Sequence, residues 1–189
     1  QLANKIWQSA NQMRSKIEAN EYKDYIIGFM FYKFLSDKEL QFLKANDFTD
    51  ENISSLTEED VEAVEFIKEN LGYFIPYPHL FSTWISKGSD FEIANIRDAL
   101  NSFSRNIENK KVFEGIFSTL HNGLSNLGKD AASQTKAASS LIHLIKSIPM
   151  DGKQDYDVLG FLYEYLLGMF AAHAGKKAGG FYTPHEVSL

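Results

Sequence analysis

The residues best suited to chemistry lie near the end of the sequence, where positions 175–189 read GKKAGGFYTPHEVSL. Lys176 and Lys177 stand among three glycines, and cations on such a loop could follow a phosphate group. The order GxxxxGK[ST] of a nucleotide-binding P-loop is absent. The loop is therefore either a phosphate-contacting segment or a solvent-exposed hinge, and the residues alone leave both interpretations open.

The residues after this loop carry the signals of a helix start. Thr183 suits the N-cap, Pro184 fits the first helical position, and Glu186 has the capping-box spacing. A helix is therefore predicted from Pro184, yet the sequence ends at Leu189, barely one turn later. Because a one-turn helix cannot support itself, we expect the sequence to be part of a longer chain.

Other reactive sites find little support in the sequence. The absence of cysteine excludes disulfides, thiolate metal sites and cysteine nucleophiles, and it is compatible with a cytoplasmic protein. No serine elbow occurs, and no acid pair stands out for general acid–base work. Trp7 and Trp84 are expected to anchor the core rather than to stack on bases. No metal site is predicted, because the histidines lack metal-ligand spacing. They are His79, His121, His143, His173 and His185.

The net charge of −6 comes from one short part of the chain. Residues 46–70 carry one Lys and nine Asp or Glu, whereas residues 1–45 carry seven basic and five acidic side chains. Residues 71–189 are balanced, with eleven of each sign. This is not the overall basic footprint of a free-standing DNA-binding protein. The acidic segment is either a solvated helix face or a docking surface for a basic partner.

The elements that position these residues are predicted to be helices. A series at helical spacing marks one face of a first helix. Its members are Leu2, Ile6, Ala10, Met13 and Ile17. A second helix, capped near Asn20, is predicted to end near Ala45. It is apolar on nearly all sides through Leu35, so we expect it to be the buried central helix. Its apolar stretch, from Tyr25 to Leu35, is far shorter than the roughly 20 residues that cross a bilayer, so no membrane span is predicted.

The rest of the chain predicts further helices and one extended segment. Residues 47–55 form a polar connection, and a helix that starts with a cap near Thr57 is expected to end near Leu71, before Gly72. Residues 73–78 read YFIPYP, and the two prolines predict an extended, packed aromatic segment. Later apolar series predict helices over about 93–107, 112–120, 137–148 and 158–170, with a loop over 122–133. The predicted fold class is therefore all-α, a multi-helix bundle with one short extended aromatic segment.

Three groups of residues, in this order, resemble a known family. The first group is IWQSA at 6–10, MR at 13–14, EYKDY at 21–25 and FYKFLSD at 31–37. The second group is FIP at 74–76, followed by Trp84. The third group is DVLG at 157–160, YEYLL at 163–167 and GGFYTP at 179–184. Together they resemble the modification (methyltransferase, M) subunits of type I restriction-modification enzymes, over essentially the whole chain.

The resemblance implies a DNA methyltransferase that uses S-adenosylmethionine to modify the N6 atom of adenine. It implies assembly with a DNA-specificity subunit, a second modification subunit and, in the full complex, a restriction subunit. Residues 1–174 would form the N-terminal helical domain, which helps to clamp DNA and contacts partner subunits. Residues 175–189 would link this domain to an α/β methyltransferase core and begin that core, the rest of which lies outside this sequence.

The resemblance also assigns candidate site residues. Four residues would border the cofactor pocket, with Thr183 in direct contact with the cofactor. They are Phe181, Tyr182, Thr183 and Pro184. Lys176 and Lys177 become candidate contacts to DNA or to a partner. The chain departs from the family at Gly180, where an acid usually precedes FYTP, and this departure weakens any detailed assignment in the loop.

The motifs that carry out methyl transfer are missing from the sequence. The reaction needs a flipped-out base, a glycine-rich turn for the cofactor and an Asn/Asp-Pro-Pro-aromatic loop for the target amine. Neither motif occurs in the 189 residues, and the separated prolines Pro76 and Pro78 do not replace the second one. We therefore predict no catalytic residue here, and no activity for these residues alone. The alternative interpretation is a non-catalytic helical protein–protein interaction domain.

Overall fold

A computed structural model of the chain describes residues 19–108, 110–147, 160 and 164. Its helices are α1 Ala19–Ala45, α2 Asp50–Ser54, α3 Val61–Leu71, α4 Phe81–Ser86, α5 Ile93–Arg105, α6 Lys110–Gly123 and α7 Ala131–Lys146. Short 3-10 turns are Tyr77–His79, Gly88–Asp90 and Leu124–Leu127. These described parts contain no β-strand, only an isolated antiparallel bridge between Tyr73 and Ile107. The predicted all-α bundle is confirmed.

Helix α1 is the central element, as its apolar sequence predicted. It packs against α4, α6 and α7, and most of its side chains between Tyr22 and Leu35 are buried. Gly28 allows α6 to approach closely, because a Cβ atom there would lie 3.0 Å from the side chain of Leu120. None of the described helices combines the length and the apolar character needed to cross a bilayer.

The buried apolar side chains form two clusters. The main core lies between α1 and the helices α4 to α7, and it includes Trp84 and Phe103. The small core joins the end of α1 to α2, α3 and the extended segment. Its buried members are Leu43, Ile53, Leu56, Val64, Ile67 and Phe74. The small core therefore fixes the acidic segment of the chain to the end of the central helix.

The acidic segment is more structured than predicted at its start. The expected polar connection over 47–55 contains α2, because Thr49 and Asn52 cap each other reciprocally. Helix α3 begins at Val61 rather than near Thr57, since the Asp60 carboxylate accepts the Thr57 N–H at 2.8 Å and closes a turn there. Its predicted end is confirmed. Gly72 follows with φ 88°, a left-handed conformation that favours glycine.

One further expectation was wrong, and one helix was missed. The loop predicted over 122–133 is largely helical, because α6 continues to Gly123 and a 3-10 turn buries Leu124 and Leu127. Asp130 then caps α7 by accepting the N–H of Ser133 at 2.9 Å. Helix α4 was not predicted at all. The helices predicted over residues 2–17 and 158–170 lie outside the described residues, except for residues 160 and 164, which are helical.

Candidate functional site

The residues predicted to contact a cofactor, DNA or a partner near the C-terminus lie outside the described part of the chain. They are Lys176, Lys177, Phe181, Tyr182, Thr183 and Pro184, and their roles remain predictions. The described residues instead present three features that bear on function. These are a buried polar seam along α1, an exposed acidic surface over residues 47–69 and a face of α7 that carries two lysines.

The polar seam consists of the α1 side chains Tyr32, Ser36 and Glu39 together with residues 73–81. Extended backbone and prolines leave N–H and C=O groups without helical partners, and buried groups of this kind need other partners. The Tyr32 hydroxyl donates to the His79 carbonyl at 2.8 Å, and Ser36 Oγ accepts the Phe81 N–H at 3.1 Å. The spacing of the three α1 residues places them on one helix face. The seam therefore ties the extended segment to the central helix.

Glu39 is the most unusual member of the seam. Its Oε1 atom accepts the Ile75 N–H at 2.7 Å, while its buried Oε2 atom has no hydrogen-bond partner among the described residues. Burial raises the pKa of this carboxyl well above its usual range, and the bond from Ile75 only partly opposes that rise. Burial therefore favours the neutral, protonated form of this side chain. Sequence reasoning missed it, although a lone acid on an apolar helix face was a usable signal.

Trp84, the last residue of the FIP…W signature, is fully buried. Its ring stacks on Tyr32 with centroids 4.8 Å apart and planes 7° apart, and Phe29 meets it edge-on at 6.3 Å. Phe74 and Ile75 are buried as well. The prediction that Trp84 anchors the core is confirmed. In this chain the signature serves packing and not surface contact.

The acidic surface is made of carboxylates that are all exposed. They are Asp47, Asp50, Glu51, Glu58, Glu59, Asp60, Glu62, Glu65 and Glu69. Within the described residues, the large hydrophobic side chains classed as exposed are Val61 at 62% and Phe66 at 38%, and both belong to α3. Apolar and acidic side chains thus share one surface.

One of these carboxylates has a structural role. Glu58 accepts hydrogen bonds from Arg105 at 2.9 Å and from Asn106 at 3.0 Å, and Ser102 lies 3.3 Å away. The bond from Arg105 is the largest cause that lowers the pKa of Glu58 to about 2, with smaller contributions from Asn106 and Ser102. This cluster holds the turn before α3 against the end of α5.

Helix α7 has the opposite charge. Residues 131–147 contain no Asp or Glu, and Lys136, His143 and Lys146 are exposed. Their spacings of seven and three residues place them on one helix face. Helix α7 therefore carries two exposed lysines and no carboxylate, in contrast to the acidic surface over residues 47–69.

A groove of about 280 Å³ between α5 and α6 has an apolar floor that includes Phe103, Phe113 and Phe117, and His121 lines it. The His121 Nε2 atom is buried and has no hydrogen-bond partner in the described part of the chain. No three His, Asp or Glu side chains of that part come together as a metal ion would require.

Comparison with known proteins gives two family matches in succession. Residues 2–148 match the HsdM N-terminal domain, and residues 154–189 match the N-6 DNA Methylase family. A solved relative is the methyltransferase subunit of a type I restriction-modification system from Streptococcus thermophilus. It is 26% identical, with a TM-score of 0.72 over 90% of this chain and 38% of that chain.

Curated relatives agree with these matches. The type I restriction enzyme MpnII methylase subunit of Mycoplasma pneumoniae is 27% identical over 97% of this chain and 37% of its own length. The MjaIX methylase subunit of Methanocaldococcus jannaschii is 25% identical over the whole chain and 34% of its own length. The chain thus spans about a third of these relatives. Because the first family match covers residues 2–148, well over half of the sequence, the chain belongs to the HsdM N-terminal domain family.

Proposed function

We propose that this chain is the N-terminal helical region of a type I restriction-modification DNA methyltransferase subunit that modifies adenine N6 with S-adenosylmethionine. The observation that carries the proposal is the order of the two family matches, with HsdM N-terminal domain first and N-6 DNA Methylase second. That order agrees with the succession of sequence signatures that ends in FYTP.

The proposed roles of the two parts of the chain follow from this order. Residues 1–174 act as the helical domain that helps to clamp DNA and contacts partner subunits, and residues 175–189 lead into the methyltransferase core. The partners in this proposal are a specificity subunit, a second modification subunit and a restriction subunit, in the cytoplasm. The hydrogen bonds that tie residues 73–81 to α1 support a structural role for the domain, since a clamp must keep its shape.

In this proposal the cofactor is bound mainly by the methyltransferase core. S-adenosylmethionine would supply the methyl group, and Phe181 to Pro184 would border its methionine end, with Thr183 in direct contact. Lys176 and Lys177 would reach DNA or a partner. The sequence lacks both the glycine-rich cofactor turn and the Asn/Asp-Pro-Pro-aromatic loop, which supports the expectation that these residues alone do not methylate DNA.

The charge distribution indicates which side of the domain faces DNA. Phosphates repel the carboxylates of α3, whereas Lys136 and Lys146 lie on the acid-free α7. We therefore propose that α7 faces the duplex. Replacing Lys136 and Lys146 with Ala should weaken DNA binding by the assembled enzyme for all sequences alike, and it should lower the salt slope by about one per lost contact. Alanine at Lys44 and Lys87 is the matched control.

The test of the whole proposal is labelled methyl transfer by the full-length subunit with its specificity subunit. Wild type should methylate adenine, Thr183→Ala should weaken cofactor binding, and a protein without residues 1–175 should fail to engage DNA. Thr119→Ala, exposed on α6, is the control and should behave as wild type. If wild type transfers no methyl group to any DNA, the proposal fails and a helical protein–protein interaction domain becomes the better account.

A further inference from the structure

The exposed face of α3 carries a regularly spaced row of acidic side chains. At 100° per residue, Glu62, Glu65 and Glu69 form one continuous row, spaced three and four residues apart. Val61 and Phe66 lie on opposite sides of this row. The buried face of the same helix is apolar and belongs to the small core. Helix α3 is therefore amphipathic in the usual way, but its outer face carries an acidic row with an apolar residue at each edge.

This row is unfavourable in the isolated domain. Like charges at i, i+3 and i, i+4 on a helix destabilise it by a few tenths of a kcal/mol per pair. None of Glu62, Glu65 and Glu69 makes an ion pair within the described part of the chain, in contrast to Glu58, which has Arg105. A basic ligand would relieve this repulsion.

The surface around Val61 is grooved and not flat. Two grooves flank this residue, with volumes of about 490 and 380 Å³. The first is bordered by Phe48, Leu56 and Ala63 among others, and is partly apolar. The second is lined by four glutamates, Glu58, Glu65, Glu69 and Glu108, and by one lysine, Lys68. An exposed apolar side chain between a partly apolar groove and a groove rich in glutamates suits a ligand that has both apolar and basic side chains.

We propose that this face of α3 is a docking site for a Lys- or Arg-rich amphipathic helix of a neighbouring protein subunit. Its cations meet Glu62, Glu65 and Glu69, and its apolar side chains cover Val61 and Phe66. Charge complementarity argues for this occupant, because the row repels nucleic acid and attracts basic protein segments. The exposed Val61 and Phe66 argue for a structured ligand, since a diffuse ion atmosphere gains nothing from apolar contact. The inference stands apart from the methyl-transfer activity and does not depend on it.

The test measures binding of a synthetic amphipathic Leu/Lys helix to the full-length protein at about 0.15 M salt. A peptide with Glu in place of every Lys is the negative probe. Glu65→Lys/Glu69→Lys is the main variant, because cations in the later turns of a helix favour its dipole and the fold should be kept. Asp90→Lys/Glu114→Lys changes the net charge equally at exposed positions outside the acidic segment and is the matched control.

We expect the Leu/Lys peptide to bind wild type and the control variant equally, and to bind Glu65→Lys/Glu69→Lys at least about tenfold more weakly. Val61→Ser should also weaken binding, and its effect should persist at higher salt, where contacts between exposed charges are screened. Equal binding by the two double variants would overturn the proposal, as would a Val61→Ser variant that binds like wild type. Sedimentation adds a last check. If wild type dimerises and Glu65→Lys/Glu69→Lys does not, the occupant is a second copy of this chain and the proposed partner is wrong.

Discussion

The main core and the small core both pack against the central helix α1, but they differ in composition and in what they support. Around the first two-thirds of α1, aromatic rings pack against one another and buried polar side chains satisfy the extended segment. Around its end, six buried apolar residues support a short helix whose outer face is acidic. The side chains of the main core pack mainly against one another, whereas the small core lies beneath the exposed acidic face of α3.

This difference indicates where stability and where interaction reside. Buried aromatic clusters contribute most of the free energy of unfolding, because each large ring removes much apolar area from water. Thin clusters under charged helices open more readily and belong to the less stable parts of a structure. We therefore expect substitutions in the main core to unfold the domain and substitutions in the acidic segment to affect it locally.

The largest effect should come from Trp84→Ala. The change removes the ring that stacks on Tyr32 and touches Phe29 and Phe81, and truncation of a buried Trp costs about 3–5 kcal/mol. Chemical denaturation of the 189-residue chain measures the loss. Ile67→Ala in the small core is the matched truncation and should cost less. A larger loss for Ile67→Ala would reverse the ranking of the two cores.

The next effect concerns Glu39 and depends on pH. Glu39→Gln keeps an acceptor for the Ile75 N–H but cannot ionise. Because the folded pKa of Glu39 is raised, its contribution to stability is fully present below the unfolded pKa of about 4.5 and is lost as pH rises toward the folded pKa.

Glu39→Gln should therefore gain stability relative to wild type as pH rises, by about 1.4 kcal/mol per pH unit within that window. Denaturation of both proteins between about pH 4 and pH 8 measures the gain. Parallel pH profiles for the two proteins would mean that Glu39 is not desolvated in solution. Glu39→Ala, which leaves the Ile75 N–H without its acceptor, should be about 1–3 kcal/mol less stable than Glu39→Gln at any pH in this range.

The sequence predicted the central helix because α1 carries a long apolar stretch, and it predicted α5 because hydrophobic periodicity is strong there. It did not predict α4, since this short helix exists to place Phe81 and Trp84 in the main core, and a periodic signal needs more residues. The start of α3 was predicted too early, because the Asp60 side chain accepts the Thr57 N–H and closes a turn before the helix. The position of Glu39 on an apolar helix face was a usable signal, but its partner could not be assigned from sequence because Ile75 is 36 positions away.

A smaller effect is expected at the end of α3, where the backbone conformation alone determines the cost of a substitution. Gly72 has φ 88° and no atom within 4 Å of a Cβ built there, so Gly72→Ala adds strain without a clash. The expected cost is about 1–2 kcal/mol. Gly115→Ala is the control, because that position also has open space but lies inside α6, where alanine should stabilise by about 0.5–1 kcal/mol. We expect Gly72→Ala to lower the midpoint temperature of thermal denaturation and Gly115→Ala to raise it. A neutral Gly72→Ala would show that the end of α3 can relax.

The smallest effect should come from the ion pair between Glu58 and Arg105, which joins the acidic segment to α5. Both side chains are substantially exposed, so solvent screening limits their coupling to about 0.5–1 kcal/mol in a double-mutant cycle. The pKa of Glu58 is lowered to about 2, so the coupling is present above about pH 4.5 and is lost as the pH falls toward 2. The pair Lys23 and Asp24, 3.9 Å apart, is the control and should show almost no coupling. A Glu58–Arg105 coupling that survives full protonation of the carboxyl would have to come from packing instead of charge. In that case the acidic segment would be held by the same kind of contact as the main core, and the contrast between the two regions would weaken.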